Sequence, residues 1–95
     1  MPVGIMHQFP GATKAQYEAA LAAVHDPSGK LPPGQTFHTA GATPTGWFVF
    51  AIHDTLESFE TFRDTVLMPT LAKGIDGGFT TPPEETIIEI DRIMP

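Results

Sequence analysis

Trp47-Phe48-Val49-Phe50-Ala51-Ile52 is an unbroken apolar run that ends at His53. A half-buried strand alternates wet and dry positions, whereas a run apolar on both parities predicts a strand covered on both faces. Directly after it, Asp54 with Glu57 three residues on predicts a capped helix start, in which each side chain satisfies an orphan backbone N–H. The apolar stripe of that helix is Leu56, Phe59, Phe62, Val66 and Leu67. Pro69 cannot continue a helix interior, so it kinks the helix or opens a second short one at Thr70-Leu71-Ala72-Lys73. Gly74, Gly77 and Gly78 close the helical stretch.

The other elements follow from the same reasoning. Val3 to Phe9 is a strand closed by the Pro10-Gly11 turn. Val3, Ile5 and Phe9 fall on one parity with His7, and Met6 falls on the other. Thr13 and Gln16 form a capping box for a helix whose stripe is Tyr17, Ala20, Leu21 and Val24. Asp26-Pro27-Ser28-Gly29 ends it. Gln35 to Ala40 is a strand, Gly41 to Gly46 a hairpin loop, and Phe79 to Pro83 a loop. Glu85 to Ile93 is the last strand, with Ile88 and Ile90 on one face and Glu89 and Asp91 on the other.

The order β-α-β-β-α-β with right-handed crossovers gives an α+β, ferredoxin-like fold. Four antiparallel strands in the order 4-1-3-2 carry two helices on one face. Residues 1–95 form one domain, as the length suggests. The central strands of this fold are the first and third, which are the two that read apolar on both parities. The helices cover one sheet face, and the sheet of an identical subunit is the simplest cover for the other. A homodimer is therefore expected.

Composition narrows the partners. The chain has 41% hydrophobic residues and no cysteine, so a globular core is expected and disulfide or thiolate chemistry is excluded. Five basic residues against eleven acidic ones give a net charge of −6. The basic residues are scattered, which argues against nucleic acid and against an anionic membrane surface. The longest apolar run is about seven residues, against the roughly 20 that a membrane-spanning helix needs. No basic and apolar leader opens the sequence, so a soluble cytoplasmic protein is expected.

Four segments carry a family resemblance. They are Gly4-Ile5-Met6-His7-Gln8-Phe9, Phe37-His38-Thr39-Ala40-Gly41, Gly46-Trp47 through His53-Asp54 into Leu56-Glu57-Ser58-Phe59-Glu60-Thr61-Phe62, and Leu67-Met68-Pro69-Thr70-Leu71. Together they span nearly the whole chain. The chain resembles the dimeric α/β-barrel superfamily, near its antibiotic-biosynthesis-monooxygenase-like and stress-responsive barrel members. The resemblance implies a barrel-forming dimer and a small organic ligand. It also implies either cofactor-independent oxygenation or histidine-assisted cyclisation or isomerisation. Haem degraders of the superfamily carry a haem-ligating histidine on the second helix, where this chain has none. Stress-responsive and cyclase-type members carry a histidine in the first strand, and His7 is the matching position.

Histidine transfers protons near neutral pH. His38, His7 and His53 each fall on a predicted strand and are the candidate catalytic residues. The plain alternative is a hydrogen-bonded core or edge histidine at each position. His25 ends the first helix and is expected to interact with its C-terminal dipole. The four histidines lack metal-ligand spacing and no carboxylate is suitably interleaved, so no metal site is expected. No phosphate loop, dinucleotide fingerprint or nucleophile elbow is present, and no cofactor is expected. Trp47 and Tyr17 are candidate walls of an aromatic ligand pocket, and Arg63 a candidate partner for a ligand carboxylate. Against these stand plain core packing and a solvated Arg63–Asp64 pair. A non-catalytic binding or structural dimer module is the alternative function. An enclosed pocket of roughly 300 Å³ or more that touches a histidine favours ligand chemistry, and a sheet–helix interface packed solid favours that alternative.

Overall fold

The structure is a computed structural model and describes residues 1–25 and 27–94. Its elements are β1 (Val3–Pro10), α1 (Lys14–Val24), β2 (Gln35–Thr43), β3 (Gly46–His53), α2 (Leu56–Phe62), a π-helical turn (Arg63–Leu67), α3 (Met68–Lys73) and β4 (Glu84–Glu89). The strands form one antiparallel sheet in the order β2-β3-β1-β4, the ferredoxin-like arrangement expected from the sequence.

Register decides which side chains share a face. His38, Ala51, Ile5 and Ile87 form one rung across the sheet, and Ala40, Val49, His7 and Glu85 form the next rung on the same face. Gln35, His53, Val3 and Glu89 form the rung on the other side of His38. This face meets the helices: Val3 and Ile5 pack with Phe59 of α2 as the centre of the core. Phe59 is 2% exposed, and burial of such a side chain stabilises by roughly 1.5–3 kcal/mol. The opposite face carries Phe37, Ile52, Gly4 and Ile88 in one rung and Thr39, Phe50, Met6 and Thr86 in the next. The two parities of β3 therefore serve two surfaces, as its double apolar pattern predicts.

Several local features differ from the sequence reading. The cap of α2 is Thr55, one residue later than Asp54: the Thr55 hydroxyl accepts from the Ser58 N–H at 3.0 Å. Ser58 rather than Glu57 then stands three residues on, so no Glu-type capping box forms. The hairpin loop shrinks to Pro44-Thr45, because Thr43 pairs with Gly46 and extends both strands. Gly46 is required there, since a Cβ would run into the Phe9 carbonyl oxygen and the backbone of residues 10 and 11.

At Pro69 a second short helix opens, the second of the two expected outcomes, two residues earlier than Thr70, and a π-helical turn joins it to α2. Pro69 has no N–H for an i→i−4 bond, and the preceding turn widens so that the Met68 N–H reaches the Arg63 carbonyl. Pro69 then sits in the first turn of α3, where a missing donor costs little. α1 keeps its Thr13–Gln16 capping box and ends at Val24, with the His25 N–H donating to the Leu21 carbonyl. The expected terminator begins at Asp26, which lies outside the described residues. β4 stops at Glu89, and the Ile90 N–H donates to the Pro2 carbonyl beyond it.

Candidate functional site

The helix-facing side of the sheet is not packed solid. A cavity of about 520 Å³ lies between it and the helices. Ala51, Val49 and Ile5 form its floor. Tyr17 and Leu21 of α1, Phe59 and Phe62 of α2, and Met68 and Leu71 of α3 contribute walls. The loop 79–83 lies at one side, pinned by Phe79 stacked on Phe9 with ring centroids 3.7 Å apart. Ala51 contributes only a methyl group to this floor, which leaves room above it.

All three sequence-predicted histidines line this cavity. They come from the three strands on which the sequence places them, and the register sets them in three successive rungs of one face, which the sequence could not show. Each has a polar partner. One hydrogen bond of 2.7 Å joins His38 Nε2 and Tyr17 Oη. His38 Nδ1 is buried without a protein partner. Burial, and then the neighbouring His25, lower the His38 pKa below the usual histidine range. Burial raises the Tyr17 phenol. Both shifts favour the neutral forms at pH 7, and the hydrogen bond joins the two groups.

His53 is 1% exposed and held at both nitrogens. The Ser58 hydroxyl donates to the Thr55 carbonyl at 3.0 Å, so its lone pair accepts from His53 Nδ1–H at 3.1 Å. His53 Nε2 is then left to accept from the Gln35 amide N–H at 3.2 Å. This assignment keeps His53 neutral, in agreement with the burial that lowers its pKa against a smaller opposing pull from Asp54. The network ties β2, β3 and the start of α2 together. His7 Nε2 lies 2.8 Å from Glu85 Oε2, directly across the β1–β4 ladder.

The structure separates the expected ligand-binding residues. Tyr17 lines the cavity, and Trp47 and Arg63 do not. Trp47 packs against Tyr17 at 5.4 Å between ring centroids, buried behind it, with its indole N–H lacking a protein partner. Arg63 pairs with the adjacent Asp64 at 2.9 Å and lies over the Phe59 ring, and that hydrogen bond raises its pKa. It is the surface pair of the plain reading.

His25 is the residue that the sequence reading placed elsewhere. Its ring lines the cavity, edge-on to His38 at 5.1 Å and near Phe62, and burial lowers its pKa. A helix dipole would favour its charged form, and burial outweighs that. The signal was available: Tyr17, Leu21 and His25 are spaced by four and continue one helix face. Among the described residues no three histidine or carboxylate groups converge on a point that a metal ion could occupy. No helix among them is long and apolar enough to cross a membrane.

No protein-family model matches the chain, and no curated protein matches its sequence. Solved structures do match its fold. The Rv0793 protein from Mycobacterium tuberculosis superposes with a TM-score of 0.71 at 16% identity, over 99% of this chain and 100% of that one. A proposed antibiotic biosynthesis monooxygenase from Chloroflexus aurantiacus gives 0.64 at 15% identity, over 99% and 98%. The third is a monooxygenase from the ActVA-Orf6 gene of Streptomyces coelicolor, solved with nanaomycin D bound. It gives 0.62 at 15% identity, over 99% and 91%. The chain thus shares its ferredoxin-like fold, over nearly its whole length, with these three structures.

Proposed function

We propose that this protein is a homodimeric barrel that binds a small, partly apolar organic molecule between its sheet and helices and moves a proton on it through His38 and Tyr17. The cavity of about 520 Å³ with the Tyr17–His38 pair in its wall carries this reading. Its volume exceeds the roughly 300 Å³ expected of a ligand pocket, although the space is partly open to solvent rather than enclosed, and its walls are mostly apolar with a few polar groups. A solidly packed sheet–helix interface would have favoured the non-catalytic structural module instead. The monooxygenase neighbour solved with an organic ligand supports the same class of ligand here.

The reaction that fits best is cofactor-independent oxygenation of a phenol. His38 accepts the phenolic proton, directly or across the 2.7 Å bond to Tyr17. The phenolate is electron-rich and supplies the electrons itself. Molecular oxygen adds at a ring carbon, and loss of one water leaves the quinone. The same proton transfer, without oxygen, would serve a cyclase or isomerase.

The open sheet face supports the dimer. Phe37 and Ile88, at opposite ends of one rung, are 47% and 39% exposed, with Ile52 between them. A second copy of the sheet covers such a face with matching chemistry.

The test is aerobic incubation with a set of naphthols, followed by quinone absorbance, for the native protein and His38→Ala. A general base contributes about 10²–10⁴-fold, so the variant should lose at least two orders of magnitude while its sedimentation stays dimeric. Unchanged turnover removes His38 from the mechanism, and a monomer at micromolar concentration removes the dimer.

A further inference from the structure

The charges around the cavity say more about its ligand than its size does. No lysine or arginine lines it among the described residues. Its histidines are poor cation sites: His38, His25 and His53 have their charged forms disfavoured by burial. Among the described residues, the one carboxylate hydrogen-bonded to a cavity histidine is that of Glu85, on His7. The whole chain carries a net charge of −6. A carboxylate, sulfonate or phosphate entering this space would shed its water and meet no compensating cation, which is costly. Arg63, the expected carboxylate partner, is engaged with Asp64 outside the cavity wall.

Gln35 and His53 of the lining are hydrogen-bonded to each other, His25 stands edge-on to His38, and Thr80 and Thr81 belong to the loop at one side; two further polar pairs stand at separate places. One is Tyr17–His38, between α1 and β2. The other is His7–Glu85, between β1 and β4. His38 and His7 lie two strands apart and one same-face rung apart, on the order of 10 Å between their backbones. Between them the floor is Val49 and Ala51, with no polar side chain. The aromatic rings of Phe59 and Phe62 lie in the walls.

We infer that the cavity selects an uncharged, flat molecule with a hydrogen-bonding group at each end, one end held by Tyr17–His38 and the other by His7–Glu85. A two-ring arene with a hydroxyl on each ring meets this description. In that complex Glu85 is a positioning residue: it holds His7 Nε2 and leaves Nδ1 as the nitrogen that can serve the ligand. This inference rests on the proposed ligand cavity and sharpens what enters it.

Isothermal titration of the native protein at pH 7.5 with 2,6-dihydroxynaphthalene, 2-naphthol and 2-naphthoate tests it, because the three share a ring system. The diol should bind about threefold to tenfold more tightly than 2-naphthol, the range that one extra hydrogen bond gives. 2-Naphthoate should bind at least tenfold more weakly than 2-naphthol. In His7→Phe the ratio of diol affinity to 2-naphthol affinity should fall to about one. Naphthoate binding as tightly as naphthol overturns the charge selection, and equal affinities of diol and naphthol for the native protein overturn the second anchor. If none of the three binds, the ligand cavity itself is wrong, and this inference falls with it. The comparison among ligands on the native protein stands even if the variant fails to fold.

Discussion

Tyr17 Oη and His38 Nε2 lie 2.7 Å apart, joining the first turn of α1 to the middle of the edge strand β2 across the rim of the cavity. The bond locks the His38 ring while the His38 Nδ1 has no protein partner. Tyr17→Phe keeps the ring and removes the oxygen, leaving the second nitrogen unpaired as well. The expected cost is about 1–3 kcal/mol in urea unfolding, the penalty of a half-buried group left without its bond. An unchanged midpoint would mean that the bond does not form in solution.

Acid should weaken the protein before its carboxylates titrate. Burial lowers the folded-state pKa of His25, His38 and His53 below the 6.5 of an unperturbed histidine. As pH falls through about 6.5 the unfolded chain takes up protons that the folded chain refuses, so stability drops. It is fully present above that pH and declines until the folded-state pKa values are passed. Urea midpoints should fall steadily between pH 7.5 and 5, and a flat profile across that window would contradict the burial of these rings.

The architecture was legible in the sequence because it depends on pattern. The double apolar parity of β3 reappears as Trp47, Val49 and Ala51 on the helix side and Phe48, Phe50 and Ile52 on the open side. The site was legible only in part. Gln35 and His38 are three apart, an odd spacing that puts them on opposite faces of a regular strand. Both line the cavity because the ladder slips between Gln35 and Phe37, which leaves Thr36 as the extra residue. No glycine or proline marks that bulge in β2, so register was hidden. The one-residue shift of the α2 cap has a similar cause: Asp54 and Thr55 both have capping side chains, and only the docking of Ser58 on His53 distinguishes them.

The open face of the sheet gives a second kind of prediction. Phe37 and Ile88 lie on that face at the two edges of one rung. Neither is buried within the chain, so charging them leaves the core of Val3, Ile5 and Phe59 untouched. Under the proposed dimer, the native protein sediments as a dimer at micromolar concentration and the double variant Phe37→Glu, Ile88→Glu should sediment as a monomer there, with an unchanged far-ultraviolet circular dichroism spectrum. Retained dimers would place the interface elsewhere.

Gly46 tests the hairpin. Any Cβ there points into the Phe9 carbonyl and the backbone of residues 10 and 11, which are held by the Gly11 N–H donating to the Thr45 carbonyl at 2.7 Å. The neighbours are backbone and cannot swing away as a side chain can. Gly46→Ala should therefore cost about 1–3 kcal/mol, as overpacking does. Gly74→Ala meets no atom within 4 Å and pays only for a positive φ combined with an extended ψ, about 1–3 kcal/mol.

Ala51 separates a real cavity from a loose core. It sits at the centre of the floor, between His38 and Ile5 in one rung. In a packed core the three extra carbons of Ala51→Leu would force neighbours apart and destabilise by about 1–3 kcal/mol. Above an empty floor the same carbons enter free space and bury apolar area, worth roughly 0.8 kcal/mol for each methylene that leaves water. The variant should thus be as stable as the native protein or more so, while its affinity for 2-naphthol falls at least tenfold because the ligand and the leucine compete for one volume. Destabilisation together with undiminished naphthol binding would show that the ligand sits elsewhere and that this floor is part of a closed core.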